Sequence, residues 1–184
     1  MRVPHTFFLF PLLLLLPACS EDPQPQPVAV KKARSEDGIY KSEEGKFAVR
    51  FPKDPSISNK ELATAAGVLK VQTAKSEVGR DLMLSVSHTT YPASFGDVDA
   101  NKILDGVRDG LKGRDGELKS DKVTALGEDK FPAREVRINA GKNGIRARLV
   151  LVDRRLVQAL AVGSKDALDR KAVEEFFKSF EVEK

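Results

Sequence analysis

Between residues 38 and 163 the apolar residues mostly alternate with polar ones, which is the pattern of β-strands with one buried face. Phe47, Val49 and Phe51 are an example, because less apolar residues separate them and prolines follow at positions 52 and 55. Glycines and charged residues lie between such stretches, as expected for turns. The pattern predicts strands at 39–40, 47–51, 68–78, 82–89, 134–139, 145–153 and 156–163.

Two stretches have helical spacing instead. In the first, Asp97 and Asp99 are candidate caps, Gly113 lies near the end, and the apolar residues are Ile103, Leu104, Val107 and Leu111. The second predicts a terminal helix that begins at Asp166 or Asp169 and is followed by Phe180. Its apolar side consists of Leu168, Ala172, Val173, Phe176 and Phe177.

Residues 134–163 form the most regular part of the pattern. The short connections at 140–143 and 153–155 predict three antiparallel strands, and a pair between Asn139 and Gly144 fixes the register. The cross-strand neighbours are then Val136 with Ala147 and Ile138 with Ile145 on the inner side, and Glu135 with Arg148 and Arg137 with Arg146 on the outer side. Strands before and between helices predict one α+β domain at 38–184, an antiparallel sheet with packed helices.

The first eighteen residues read as a signal peptide. Arg2 precedes an apolar run at 7–16, which is too short for a helix that crosses a bilayer. Residues 16–19, Leu-Pro-Ala-Cys, resemble the lipobox of bacterial lipoproteins, in which the cysteine receives a diacylglyceryl group and becomes the mature N-terminus. The resemblance implies that Cys19 is lipidated and anchors the chain to a membrane of the cell envelope. The alternative is an ordinary signal peptide with an incidental cysteine.

Residues 19–37 connect this anchor to the domain. Pro23, Pro25 and Pro27 alternate with glutamines, which favours an extended spacer at ~3.1 Å per residue. If the host is Gram-negative, Ser20 resembles the sorting signal for the outer membrane, on its periplasmic side.

Composition narrows the possible partners and cofactors. The formal net charge is +4, and removal of residues 1–18 leaves 30 basic against 27 acidic residues, or +3. This small excess does not indicate a nucleic-acid partner. One cysteine supplies neither an internal disulfide nor a thiolate metal cluster, so we expect no metal and no cofactor. The sequence leaves the oligomeric state open.

Few residues are candidates for chemistry. His5 lies in the signal peptide, so a catalytic triad has to use His88, which shares a strand face with Leu82, Leu84 and Val86. A partly buried, hydrogen-bonded histidine is the favoured interpretation, and we expect no enzymatic activity. Residues 97–108 match a calcium loop at positions one, three and five only, so helix capping by the acidic residues is favoured there.

The best candidate for a binding surface is a set of arginines. Arginine on a sheet can bind carboxylates or phosphates through two parallel hydrogen bonds. The alternatives are cross-strand ion pairs and a cover formed by the terminal helix. The candidate residues are Arg137, Arg146 and Arg148, with Arg154 and Arg155 at the next turn.

Residues 45–55, 130–163 and 172–182 resemble the PsbP-like fold, an α/β/α sandwich shared by photosystem II extrinsic proteins and Mog-type proteins. The features that these residues share with the family are an aromatic-proline strand end, a meander, and a terminal helix that ends in a phenylalanine-rich turn. The resemblance implies a non-catalytic binding or assembly module, here lipid-anchored, whose partner is an envelope protein. The alternative is a carrier or sensor of a small ligand bound between sheet and helix.

Overall fold

The computed structural model of the protein describes residues 31–32, 38–64, 67–96 and 98–184. Fourteen strands and α-helices follow one another along these residues. They are β1 (Lys31–Lys32), β2 (Ile39–Ser42), β3 (Phe47–Arg50), β4 (Ser56–Thr64), β5 (Gly67–Val78), β6 (Leu82–Thr90), α1 (Ala100–Lys112), β7 (Glu117–Leu126), β8 (Phe131–Ala140), β9 (Asn143–Val152), β10 (Arg155–Ser164), α2 (Lys165–Leu168), α3 (Lys171–Lys178) and β11 (Glu181–Val182).

The described strands form two sheets. The larger has eight strands in the order β1-β4-β5-β6-β10-β9-β8-β7, and the smaller has the order β11-β3-β2. Every pairing in both sheets is antiparallel. Short hairpins join most neighbours, and α1 lies on the connection that carries the chain from β6 to the far edge at β7.

Helix α1 covers one face of the large sheet. Asp99 accepts hydrogen bonds from the backbone of Asn101 and Lys102, which caps the helix, and Gly113 ends it with a positive φ. Leu104 is fully buried against Val136 and Leu149. Burial of one leucine stabilises the fold by roughly 1.5–3 kcal/mol, so this contact is a large part of what holds α1.

The opposite face of the large sheet carries the small sheet together with α2 and α3. The core on this side joins Phe47, Val49 and Phe51 of the small sheet region to Phe176 of α3 and Val86 of the large sheet. The rings of Phe51 and Phe176 lie 5.4 Å apart between centroids. Apolar and polar residues alternate along 47–51 because every second side chain points inward and fills the space between the two sheets.

The expectation of an antiparallel sheet with packed helices is confirmed, and so is the register of its central hairpin. Asn139 pairs with Gly144, Val136 with Ala147, and Arg137 with Arg146. The helix that Asp99 caps and Gly113 ends is also present. Helices lie on both faces of the sheet, as expected for an α/β/α sandwich, and the second face has the small sheet in addition.

Four strands were not predicted, and one of them, β1, lies in the segment assigned to the spacer. Both β4 and β7 are largely polar and exposed, so neither has an apolar alternation to detect, and β11 has only two residues. The predicted terminal helix is divided into α2 and α3, because Arg170 has an extended backbone and its guanidinium binds Asp81 with nitrogen–oxygen distances of 2.9 and 2.6 Å.

Several predictions concern residues outside the described part of the chain. These are the signal peptide at 1–18, lipidation of Cys19, the spacer except for Lys31 and Lys32, and capping by Asp97. Lys31 and Lys32 pair with Ile57 and Ser56 at the edge of the large sheet. The chain therefore joins the sheet before residue 38, where the sequence pattern placed the start of the domain.

Candidate functional site

Three of the predicted arginines lie together on the face of the large sheet that α3 covers. Arg137 and Arg146 are direct cross-strand neighbours on β8 and β9, and Arg148 lies opposite Glu135. Side chains two residues apart on a strand point to the same face, so all three guanidinium groups project toward α3. The register therefore brings Arg137, Arg146 and Arg148 together on one face of the sheet.

Arg148 is held firmly by its neighbours. Its Nε and Nη2 donate to Glu135 Oε1 at 3.0 and 2.6 Å, and its Nη1 donates to the backbone carbonyl of Phe177 at 2.8 Å. The guanidinium carbon lies 5.8 Å from the centre of the Phe177 ring. These contacts fix the side chain between the sheet and the end of α3.

Arg146 and Arg137 are also paired with carboxylates, Arg146 with one on α3 and Arg137 with one between α2 and α3. Arg146 lies over the Phe177 ring at 4.8 Å and donates to both carboxylate oxygens of Glu174. The guanidinium holds the pKa of Glu174 below its usual value. Arg137 donates to Asp169 at 3.2 Å and remains 47% exposed. The cover by the terminal helix is therefore real at Arg146 and incomplete at Arg137.

A cavity of about 280 Å³ opens between these arginines and α3. Ser120 and Lys122 of β7 form its outer wall, and Phe177 lies on the helix side. We call this cavity the arginine pocket; its charged lining residues are Lys122, Glu135, Arg137, Arg146 and Arg148. Four cations line it against one carboxylate, and within the described part of the chain no ion pair involves Lys122. Such a lining favours an anionic group over a neutral one.

Arg154 and Arg155 do not belong to this pocket. On β10, Ala159 lies opposite Arg148 and Arg155 lies opposite Val152. Arg155 is therefore about 13 Å from the level of Arg148 along the strand. Arg154 donates to the carbonyl of Tyr91 at 3.1 Å, and Arg155 donates to the carbonyl of Glu183. Burial lowers the pKa of Arg155. The five arginines thus form two separate sets.

His88 is buried on the same face of the sheet, near the edge formed by β4 and β5. Its Nε2 lies 3.4 Å from Gln72 Oε1, and its ring packs edge-on against Phe47 at 6.0 Å. Burial lowers the pKa of His88; Arg155 lowers it further, and Glu44 opposes the shift. The ring is thus buried and lies within hydrogen-bonding distance of Gln72.

A second cavity of about 280 Å³ reaches His88 from the surface. It lies between the turn that joins β2 to β3 and the β4–β5 edge. Its lining is polar and carries both signs of charge: Glu44, Asn59, Lys60, Glu61, Lys70, Val71, Gln72 and His88. We call it the histidine pocket. Close packing shapes it, because a Cβ on Gly45 would lie 2.7 Å from the His88 ring.

The described residues were compared with the requirements of a metal site and of a membrane-spanning helix. Among them, no group of three or more histidines, cysteines or acidic residues is placed to hold a metal ion. None of the described helices is long and apolar enough to cross a membrane. Asp99, the best-placed acidic residue of the calcium-loop candidate, uses its side chain to cap α1.

Sequence reasoning missed one feature on each face of the large sheet. Lys122 and Ser120 of the arginine pocket lie on β7, which has no apolar alternation and was therefore not recognised as a strand. On the other face, Arg134 and Asp121 form a buried ion cluster with Asp105 and Arg108 of α1. The only signal in the sequence is a charged residue at a position where the strand pattern requires a buried side chain.

Comparisons with known proteins find a similarity to solved structures. No protein-family model matches the chain, and no curated protein matches it. Solved structures do match. The chain is similar to the solution structure of cyanobacterial PsbP (CyanoP) from Synechocystis sp. PCC 6803, with a TM-score of 0.49 and 17% identity over 79% of this chain and 91% of that chain. The fold class itself rests on the strand order and the helix packing described above.

Proposed function

We propose that the protein is a non-catalytic binding module of the bacterial envelope. Acyl chains on Cys19 hold it at a membrane, and the arginine pocket binds an acidic segment of an envelope protein. The observation that carries the binding part is the lining of the pocket, which has four cations and one carboxylate; Glu174 and Asp169 pair with Arg146 and Arg137 from outside the lining, and Lys122 has no ion pair among the described residues. The anchoring part is supported by the sequence at 16–19, where the sole cysteine follows the apolar run.

The residues of the pocket suit carboxylate recognition. Arg146 and Arg148 are already oriented by Glu174 and Glu135, so binding costs little side-chain entropy there. Arg137 and Lys122 are more exposed and supply the charge that meets an approaching anion. An acidic peptide satisfies both features at once.

The anchor strengthens such binding without any new contact. Two or more acyl chains hold a protein stably at a bilayer, whereas one chain does so only marginally. A module and a partner in the same membrane meet at a raised effective concentration, so a modest affinity in solution becomes sufficient. Labelling with a lipid precursor tests this step: Cys19→Ser should abolish both the label and the retention in the membrane fraction.

The binding step is tested with two matched charge reversals in the acylated chain. The first combines Arg137→Glu with Lys122→Glu in the pocket, and the second combines Arg114→Glu with Lys53→Glu on exposed turns elsewhere. Crosslinking in intact cells should lose its protein adducts in the pocket variant and keep them in the control. Equal adducts from both variants contradict the proposal, whereas equal loss points to unspecific charge attraction.

A specific observation favours a second candidate, a carrier or sensor of a small ligand. The histidine pocket combines the amides of Asn59 and Gln72 with His88, Glu44 and two lysines, which suits a small polar molecule with both signs of charge. The location differs from the expected one, because a turn and the sheet edge form this pocket without a helix. Native mass spectrometry of the membrane-extracted protein should then find a bound mass that is lost in Gln72→Ala.

A further inference from the structure

The hairpin of β4 and β5 extends beyond the rest of the large sheet. Pairing between β5 and β6 begins at Val71 with Thr89, and pairing between β1 and β4 is limited to Ser56 and Ile57. From Asn59 to Ala63 and from Val68 to Lys70, the only strand that pairs with each half of the hairpin in the described part of the chain is the other half. The hairpin therefore projects as a two-stranded arm.

The outer end of this arm is apolar on both faces. Leu62 pairs with Leu69 and Ala63 pairs with Val68. Because adjacent side chains of a strand point to opposite faces, one pair lies on each face. Val68 is 61% exposed and Leu62 is 39% exposed. We call these four residues the arm tip; an arm that is solvated on both faces gains nothing in water from such a tip.

Charged residues surround the arm immediately behind the tip. Lys70 and Glu61 form a weak ion pair at 4.0 Å, and Lys60 lies beside them. All three side chains are exposed. Long lysine side chains next to an apolar segment can extend their charge to the level of lipid head groups, where anionic lipids attract them. An apolar end with lysines behind it is an arrangement suited to the interface of a bilayer.

The direction of the chain points the same way. β1 runs antiparallel to β4, so the N-terminal end of β1 faces the direction in which the arm projects. Eleven residues lie between Cys19 and Lys31. An acyl anchor at Cys19 therefore joins the protein from the side on which the arm tip lies.

We infer that the arm tip inserts into the interfacial region of the bilayer to which Cys19 is anchored. This inference rests on the proposed lipidation. From the level of Ile57 to Ala63 the arm reaches about 20 Å. The extended spacer expected from the sequence spans about 37 Å over the twelve steps from Cys19 to Lys31, at ~3.1 Å per residue, so its length is sufficient for the arm tip and the anchor to reach the same surface.

Insertion at a second point orients the domain. A single attachment point leaves the protein able to rotate, whereas the anchor and the arm tip together limit that rotation. The small size of the apolar tip makes it a contact of modest strength, which the acyl anchor supplements.

The experiment uses tryptophan as a reporter, because the sequence contains none. Val68→Trp places the reporter on the arm tip. Val123→Trp is the matched control, since Val123 is 63% exposed on β7 at the other edge of the same sheet. Each full-length variant is purified from membranes, its acylation is checked by mass, and it is reconstituted in phosphatidylethanolamine and phosphatidylglycerol vesicles, with and without brominated acyl chains.

The inference predicts that the Val68→Trp emission shifts to shorter wavelength in vesicles and is quenched by brominated chains, whereas the Val123→Trp emission does neither. Addition of Leu62→Asp to Val68→Trp should reduce the quenching. An acylated Val68→Trp protein without quenching overturns the inference and leaves the anchor intact. A shift without quenching identifies a second copy or another protein as the occupant, which also overturns it. A chain that carries no acyl group refutes the proposed anchor, and the inference with it.

Discussion

Arg134 donates from Nη1 to Asp121 Oδ2 at 2.7 Å, diagonally across β8 and β7, and the Arg134 side chain is only 7% exposed. The same carboxylate oxygen accepts from Arg108 of α1 at 2.6 Å. Arg134 also reaches Asp105 of α1 at 2.7 Å. The helix is therefore attached to the edge of the sheet by charges at this end, in addition to its apolar contact through Leu104.

Asp121→Ala should destabilise the fold by about 3 kcal/mol. The substitution removes the carboxylate that two guanidinium groups share and leaves the largely buried charge of Arg134 with only Asp105 as a partner. Unfolding in urea, followed by circular dichroism, measures the change in the free energy of unfolding.

Glu117→Ala on the same strand is the matched control. Glu117 accepts a hydrogen bond from Lys119 at 2.6 Å, but both side chains are exposed. Such pairs contribute less than about 1 kcal/mol. Equal losses in the two variants would mean that the buried cluster has no special role in attaching α1.

Gly110→Ala should stabilise the protein by about 0.5–1 kcal/mol. Gly110 lies in the exposed part of α1, and a Cβ at this position meets no atom within 4 Å. Alanine restricts the unfolded chain and has the higher helix propensity. The free energy of unfolding again provides the measurement.

Gly113→Ala separates this effect from a general benefit of alanine. Gly113 ends the helix with φ of +62°, a conformation that costs an L-residue energy. We expect no gain there and a loss of about 1 kcal/mol. A gain at both positions would contradict the assigned end of α1.

Arg148→Lys should cost about 1–2 kcal/mol, although the charge is kept. Lysine cannot reproduce the two hydrogen bonds to Glu135 together with the third to the Phe177 carbonyl. Arg137→Lys should change stability by less than about 0.5 kcal/mol, because Arg137 has one contact and is half exposed. Similar costs at both positions would show that the two arginines do not divide into a structural and a surface residue.

The register of the central hairpin could be predicted because its two faces differ in polarity. A slip by one residue against β9 would place Val136 and Ile138 on the same face as Arg146 and Arg148, so only one register is compatible with a buried α1 face. The same reasoning failed at β7. β7 is an edge strand whose side chains are mostly exposed, so it carries few apolar residues. Without apolar residues at every second position, a strand cannot be recognised from the sequence.

The candidate site was predictable only in part, because some of its contacts join residues that are distant in sequence. Sequence spacing placed Arg137, Arg146 and Arg148 on one face, since strand alternation is local. The separation of Arg154 and Arg155 from them depends on the length of β9, and the carboxylates of Asp169 and Glu174 arrive through long-range packing of α2 and α3. Contacts between residues distant in sequence leave no periodic signal.

His88 should make stability depend on pH in a mildly acidic range. Burial, with a contribution from Arg155, lowers the pKa of the folded state, while Glu44 opposes this shift. The unfolded histidine titrates at about 6.5. Above that pH both states are neutral and the residue contributes no pH dependence. As the pH falls through about 6.5, the unfolded chain binds a proton that the folded protein resists, so the free energy of unfolding decreases.

Urea unfolding at about pH 7.5 and about pH 5.5 should therefore show a loss of stability in the wild-type chain that is smaller in His88→Gln. The carboxylates with lowered pKa, Asp81, Asp109 and Glu174, act in a separate range. Their contribution is present above their unfolded pKa of about 4 and is lost only below it, so they do not account for a change between these two conditions. An equal loss in both proteins would show that the pH dependence comes from groups other than His88 and that the ring is not held neutral by its burial beside Phe47.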